Sequence, residues 1–166
     1  DFIDIAHNKI GLVIGDVAGK GLPAALFMAL SRSFLRAQAI GNLEAKTVME
    51  GTNRLIANDA REGMFVTAFN AILDIHGKVL KLSNAGHNPP FLFHSSMGEC
   101  EDLKVEGIAL GVFDEAQFQQ KEIILRKDDI VVFYTDGVVE SIDKNNQQFG
   151  VERLIKIFKD NPHLQV

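Results

Sequence analysis

Two short segments of this chain each bring a β-rich apolar run to an aspartate beside glycines. Lys9 to Ile14 leads into Gly15-Asp16-Val17-Ala18-Gly19-Lys20-Gly21, and Val131-Val132-Phe133-Tyr134 leads into Thr135-Asp136-Gly137. A carboxylate delivered at a strand end, with glycines that let the backbone approach closely, suits a hard divalent cation. Two such strands can aim two carboxylates at one spot. With one cysteine and no histidine cluster at ligand spacing, the pair favours Mg²⁺ or Mn²⁺ over Zn²⁺. The same residues also read as ordinary strand-end turns, where Asp and Gly are common. Asp1 and Asp4 form a third acidic group or, read alone, a solvated terminus.

Phosphate chemistry is the competing use of the first segment. A phosphate-cradling P-loop fails on spacing, because Ile14 and Gly21 stand where glycine and Ser or Thr are required. Gly19-Lys20-Gly21-Leu22-Pro23-Ala24 does match the dinucleotide pattern G-x-G-x-x-A, with Glu44 near the expected distance. Glu44, however, opens a helix instead of closing a second strand, so the β-α-β unit is missing. Lys20 can attract a phosphate as a point charge or simply be solvated. His87, in Asn84-Ala85-Gly86-His87-Asn88-Pro89-Pro90, can donate a proton or bind a ligand; its alternative is a hydrogen-bonding residue that fixes the loop.

These residues need a scaffold, and the apolar periods describe one. Pro23 falls where a first helical turn tolerates it, and Leu22, Ala25, Leu26, Ala29, Leu30, Ser33, Phe34 and Ala37 follow at helical spacing up to Gly41-Asn42. The stripe Leu26, Leu30, Phe34 fits the core better than an interface. A second helix carries Ala45, Val48, Met49, Thr52, Leu55 and Ile56 on one face and closes at Arg61-Glu62-Gly63; the two are expected to pair. The period then becomes two. Phe65 to Ile75 is apolar on both faces and so should be covered twice. His76-Gly77 turns it into Lys78 to Ala85, followed by a short strand Phe91 to Phe93 and a polar loop Ser95 to Glu101. Strands Lys121 to Arg126 and Ile130 to Thr135 are joined by Lys127-Asp128-Asp129, and Phe149 to Lys159 is an amphipathic helix.

This order is α+β, not strict strand-helix alternation. The 166 residues, 46% of them hydrophobic, make one ordinary domain. A formal charge of −5 argues against a nucleic-acid face. The longest apolar runs are far shorter than the roughly 20 residues a membrane helix needs, so no membrane contact is expected. A single cysteine, Cys100, allows no internal disulfide and fits a reducing, cytoplasmic setting.

Taken together and in order, six motifs resemble the SpoIIE-type branch of the PPM metal-dependent protein phosphatases, over nearly the whole chain. They are Asp1-Phe2-Ile3-Asp4, Gly15 to Leu26, Phe65-Val66-Thr67-Ala68, Asn84 to Pro90, Leu110-Gly111-Val112 and Tyr134 to Glu140. The resemblance implies an α-β-β-α sandwich of two antiparallel sheets flanked by helix pairs. It implies hydrolysis of phosphoserine or phosphothreonine by a water activated between two Mn²⁺ or Mg²⁺ ions, with an anti-sigma-factor antagonist as the type of bacterial phosphoprotein substrate. By match to the motifs, Asp16 bridges both metals, Val17 lends a backbone carbonyl, Asp136 binds one ion, and Asp1 and Asp4 act near the metals. Lys20 and His87 are candidate substrate contacts. A homodimer and a sensory domain in the parent chain are the partners this branch implies.

The chain departs from the family pattern at its ends. A further metal-binding Asp, usual on a C-terminal strand, has no match beyond Tyr134, since Asp143 and Asp160 lie in polar surroundings. The expectation is therefore a single domain over residues 1–166 cut at both ends, binding metal weakly. The alternative function is a catalytically impaired phosphatase-like module that binds a partner or relays a signal.

Overall fold

The computed structural model describes residues 1–59 and 63–161. Its elements run β1 (Phe2–Ala6), β2 (Lys9–Val17), α1 (Leu22–Ala39), α2 (Ala45–Asp59), β3 (Val66–Asp74) and β4 (Val79–Ala85). They continue through β5 (Phe91–His94), β6 (Glu99–Asp102), β7 (Lys121–Ile124), β8 (Asp129–Val132), α3 (Asp136–Val139) and α4 (Val151–Asp160). The fold is α+β with two antiparallel sheets, as the resemblance implies. Two compact units divide the chain: Asp1–His87 with Val105–Leu125, and Asn88–Lys104 with the chain from Arg126 on.

The first unit holds a five-stranded sheet in the order β1-β2-β3-β4-β7. β3 lies at its centre, and nearly every side chain from Val66 to Ala71 is buried on one face or the other, as its two-sided apolar pattern predicts. The β3–β4 hairpin turns at His76-Gly77, where Asp74 Oδ1 accepts the Gly77 N–H at 2.9 Å. Ile3, Ile5, Val17, Val66, Ala68 and Ile72 of the sheet pack with residues of α1 and α2 in one core. Val48, Met49, Thr52 and Ile56 of α2 are buried as expected, joined by Asn53. The predicted closing loop of α2 includes Arg61 and Glu62, which lie outside the described residues.

α1 corrects the periodicity reading. Leu26 is 63% and Leu30 37% exposed, and of the predicted stripe Phe34 alone packs, half-buried, against the core that Phe27, Ser31, Leu35 and Ala39 face. The buried row is a clean i, i+4 series interrupted by one polar residue. Ser31 made the more hydrophobic neighbouring stripe look like the inward one, and packing against the sheet chose the other face.

The second unit holds a three-stranded sheet in the order β6-β5-β8. Two further expectations change here. The segment Ser95 to Glu101 is not all loop: a tight turn, with the Met97 and Gly98 amides donating to the His94 carbonyl, returns the chain into β6. Lys127-Asp128-Asp129 does not close a hairpin either, because β7 pairs with β4 and β8 with β5. Asp129 is drawn into β8 by its own carboxylate, which meets His94 Nδ1 at 3.0 Å and accepts the Arg126 N–H at 2.8 Å. α4 lays Leu154, Ile155 and Phe158 on Phe91, Tyr134 and Val139. The Phe91 and Phe158 rings meet edge to face at 5.5 Å.

Candidate functional site

Asp16 is the penultimate residue of β2, opposite Thr67 of β3. Alternation along β2 turns Val17 into the core and leaves Asp16 exposed. The strands approach closely just before it, since a Cβ on Gly15 would lie 2.7 Å from the Thr67 carbonyl oxygen. Glycine is thus required by the spacing. Oδ1 of Asp16 accepts the Val17 N–H at 2.8 Å, which fixes the carboxylate rotamer.

His87 is 6% exposed and belongs to a bonded loop. Asn84 holds that loop: its Oδ1 accepts the His87 N–H at 2.8 Å, and its Nδ2 donates to the carbonyls of His87 and Val105, both at 3.0 Å. The His87 ring reaches Thr67, with Nδ1 3.1 Å from Oγ1, and the Thr67 hydroxyl donates to the Asp16 carbonyl at 3.4 Å. Asn84, His87, Thr67 and Asp16 therefore form one chain of contacts within the first unit. Lys20 is exposed in the loop between β2 and α1.

Asp1 and Asp4 take different courses. Asp4 is exposed on β1, across from Ile10. Asp1 is held by two arginines of α1: Arg32 Nε lies 3.0 Å and Arg36 Nη1 2.9 Å from its Oδ2. Spacing of i, i+4 puts these arginines on one helix face. That spacing was the available signal for a carboxylate partner, and it did not name which one.

In the second unit Asp136 opens α3 and is exposed. Asn88 Nδ2 donates to its Oδ1, so the loop before β5 steadies this carboxylate. Asn88 and Asn84 were visible only as members of an unusual segment; Asn84 bonds locally to His87 and across the fold to Val105, and Asn88 reaches Asp136 across 48 positions. Burial pushes the Tyr134 hydroxyl above the usual tyrosine range, aided by the charges of Asp102 and Asp136.

Within each unit, among the described residues, no three carboxylate, imidazole or thiol groups converge as a ready-made ligand set. The donor chemistry nonetheless fits a hard cation. Asp16 offers an exposed, rotamer-fixed carboxylate. Mg²⁺ and Mn²⁺ are held in this way, by few carboxylates with water completing the shell.

An α+β chain with two antiparallel sheets has solved counterparts. The structure of the RsbU and RsbW domains of Rv1364c from Mycobacterium tuberculosis superposes with a TM-score of 0.79 at 25% identity, covering 96% of this chain and 43% of that one. Residues 6–166 match the family Stage II sporulation protein E (SpoIIE), and the chain belongs to that family. Phosphoserine phosphatase RsbU of Bacillus subtilis (strain 168) is 29% identical over 147 residues, covering 87% of this chain and 44% of the relative. Protein IcfG of Synechocystis sp. is 30% identical, covering 97% of this chain and 30% of its own length. The chain thus spans less than half of these relatives.

Proposed function

We propose that this domain is a Mn²⁺- or Mg²⁺-dependent phosphoprotein phosphatase that removes phosphate from serine or threonine of a bacterial regulatory protein of the anti-sigma-factor-antagonist type. The observation that carries the reading is Asp16: exposed at the end of β2 and tied through Thr67 and His87 to the loop that Asn84 holds. Membership of the SpoIIE family and similarity to a phosphoserine phosphatase support it.

In the first unit Asp16 and the Val17 carbonyl are the groups that would hold a cation, with Asp1 and Asp4 acting near them, and in the second unit Asp136 is the group that would hold one. Bound there, the ions supply an acidified water and neutralise phosphoryl charge. The chain's own residues do the rest. The Val17 N–H orients Asp16, Asn88 orients Asp136, and Lys20 offers a positive charge to the incoming phosphate. His87 positions Thr67 and through it the Asp16 backbone.

Leu22, Leu26 and Leu30 form an exposed apolar row on α1, which supports a protein contact there, and we assign it to a second copy of the chain. No helix among the described residues is long and apolar enough to cross a membrane. We place the domain in the cytoplasm, coupled to a sensory domain.

The test is phosphate release from a phosphoserine protein, with and without Mn²⁺, by this chain and by Asp16→Ala and Asp136→Ala. Metal-dependent turnover in the native chain, lost in both variants, is the expected result. A second reading, an impaired module that binds partners, is favoured by the hold of Arg32 and Arg36 on Asp1. Partner binding without turnover in the full-length protein would establish it instead.

A further inference from the structure

Beneath α1 the packing of the first unit leaves a cavity of ≈ 310 Å³. This lies at the lower end of the roughly 300–1,000 Å³ typical of small-molecule sites. Its walls are mostly apolar: Ile3, Val13 and Gly15 of the sheet, Met28 and Leu35 of α1, and Ile56 of α2. Two polar features break that wall.

The first is Ser31, which lines the cavity, is 4% exposed and has a hydroxyl with no hydrogen-bond partner among the described residues. A buried hydroxyl in this condition is costly unless something supplies its bond. Ser33, two residues on, satisfies its own hydroxyl on the Ala29 carbonyl at 2.8 Å, so the helix could have accommodated Ser31 in the same way. The second feature is the rim. Arg32 and Arg36 line the cavity, and their two guanidinium groups share the one carboxylate of Asp1. The rim therefore carries positive charge in excess.

An apolar chamber, an unsatisfied hydroxyl and a cationic rim are together complementary to one class of molecule. We propose that this cavity binds a small amphiphilic carboxylate, its hydrocarbon against Ile3, Val13, Met28 and Ile56 and its oxygens toward Ser31, Arg32 and Arg36. The arginines give orientation through charge-assisted bonds. The apolar wall supplies affinity by burial. The lining includes Asp1 and Gly15 but not Asp16, and the proposal does not depend on phosphatase activity.

Octanoate is the probe, with octan-1-ol and octylammonium as neutral and cationic controls of the same body. Calorimetry and amide NMR on this chain should show saturable octanoate binding, with shifts centred on Ile3, Val13, Met28, Ser31 and Leu35. Octanol should bind about tenfold more weakly, a difference of about 1.4 kcal/mol, and octylammonium not at all. Arg36→Gln should bring octanoate down to the octanol level. Ser31→Val, which fills space and removes the hydroxyl, should abolish binding while keeping or raising the unfolding midpoint; Ser31→Ala gives the same reading by weakening octanoate alone. No saturable binding, equal binding of octanol, or shifts centred on Leu22 and Leu26 would overturn the assignment. So would loss of octanoate binding in the full-length natural protein, because the cavity would then be filled by the protein itself.

Discussion

Replacing Asn84 by alanine tests whether the loop carrying His87 is held by one side chain. Asn84 is 6% exposed and makes three hydrogen bonds, at 2.8, 3.0 and 3.0 Å, to the His87 N–H, the His87 carbonyl and the Val105 carbonyl. Alanine removes the partner of one donor and two acceptors where water has little access. Each such group left unpaired costs about 1–3 kcal/mol, with carbonyls at the lower end. The expected loss is about 3–5 kcal/mol, a large part of the roughly 5–15 kcal/mol that a domain possesses. Urea unfolding should show it as a lower midpoint at unchanged slope. Asn84→Asp is the sharper variant, since it keeps the acceptor for the His87 N–H but sets a carboxylate against two carbonyls, and it should lose at least as much. A loss below about 1 kcal/mol in alanine, or wild-type stability in aspartate, would refute the claim that this side chain pins the loop. The loosened loop should also free Thr67, visible as a changed His87 ring resonance in the folded fraction.

Gly15→Ala should be destabilising by roughly 1–3 kcal/mol and should disturb Asp16, because the new methyl would lie 2.7 Å from the Thr67 carbonyl oxygen; Mn²⁺-dependent shifts at the Val17 amide would report the second effect. Phe158→Ala should cost about 2–4 kcal/mol through its lost contacts with Phe91 and Phe93, read as a drop in thermal midpoint. Tyr134 is the one tyrosine in a chain without tryptophan, so tyrosinate absorbance reports it alone. Burial raises its folded pKa, and the neutral form is the one the folded state favours. Its contribution is therefore present below the usual value of about 10 and is lost as pH rises through the higher folded value. Titration in urea should return it to the ordinary range, and a native titration at that ordinary value would contradict the burial.

Most of what depends on local order is legible along the chain. The two-faced apolar run of β3, the turn at His76-Gly77, the proline entry to α1 and the apolar face of α2 are consequences of period and turn chemistry within a few residues. The family, too, was readable from six short motifs. Partner choice was not. Asp1 finds Arg36 across 35 positions and Asn88 finds Asp136 across 48, and no local pattern ranks those pairings above others of the same charge or polarity. His87 reads along the chain as a loop-fixing residue before a proton donor or ligand, and only the fold shows Thr67 beside its ring. α1 shows the same limit in apolar form: Leu26 and Leu30 are as suitable for a core as Phe27 and Leu35, and a serine sits in the row that was buried. Which face turned inward was decided by the shape of the sheet beneath it, because burial is a property of the assembled layers and not of the helix alone.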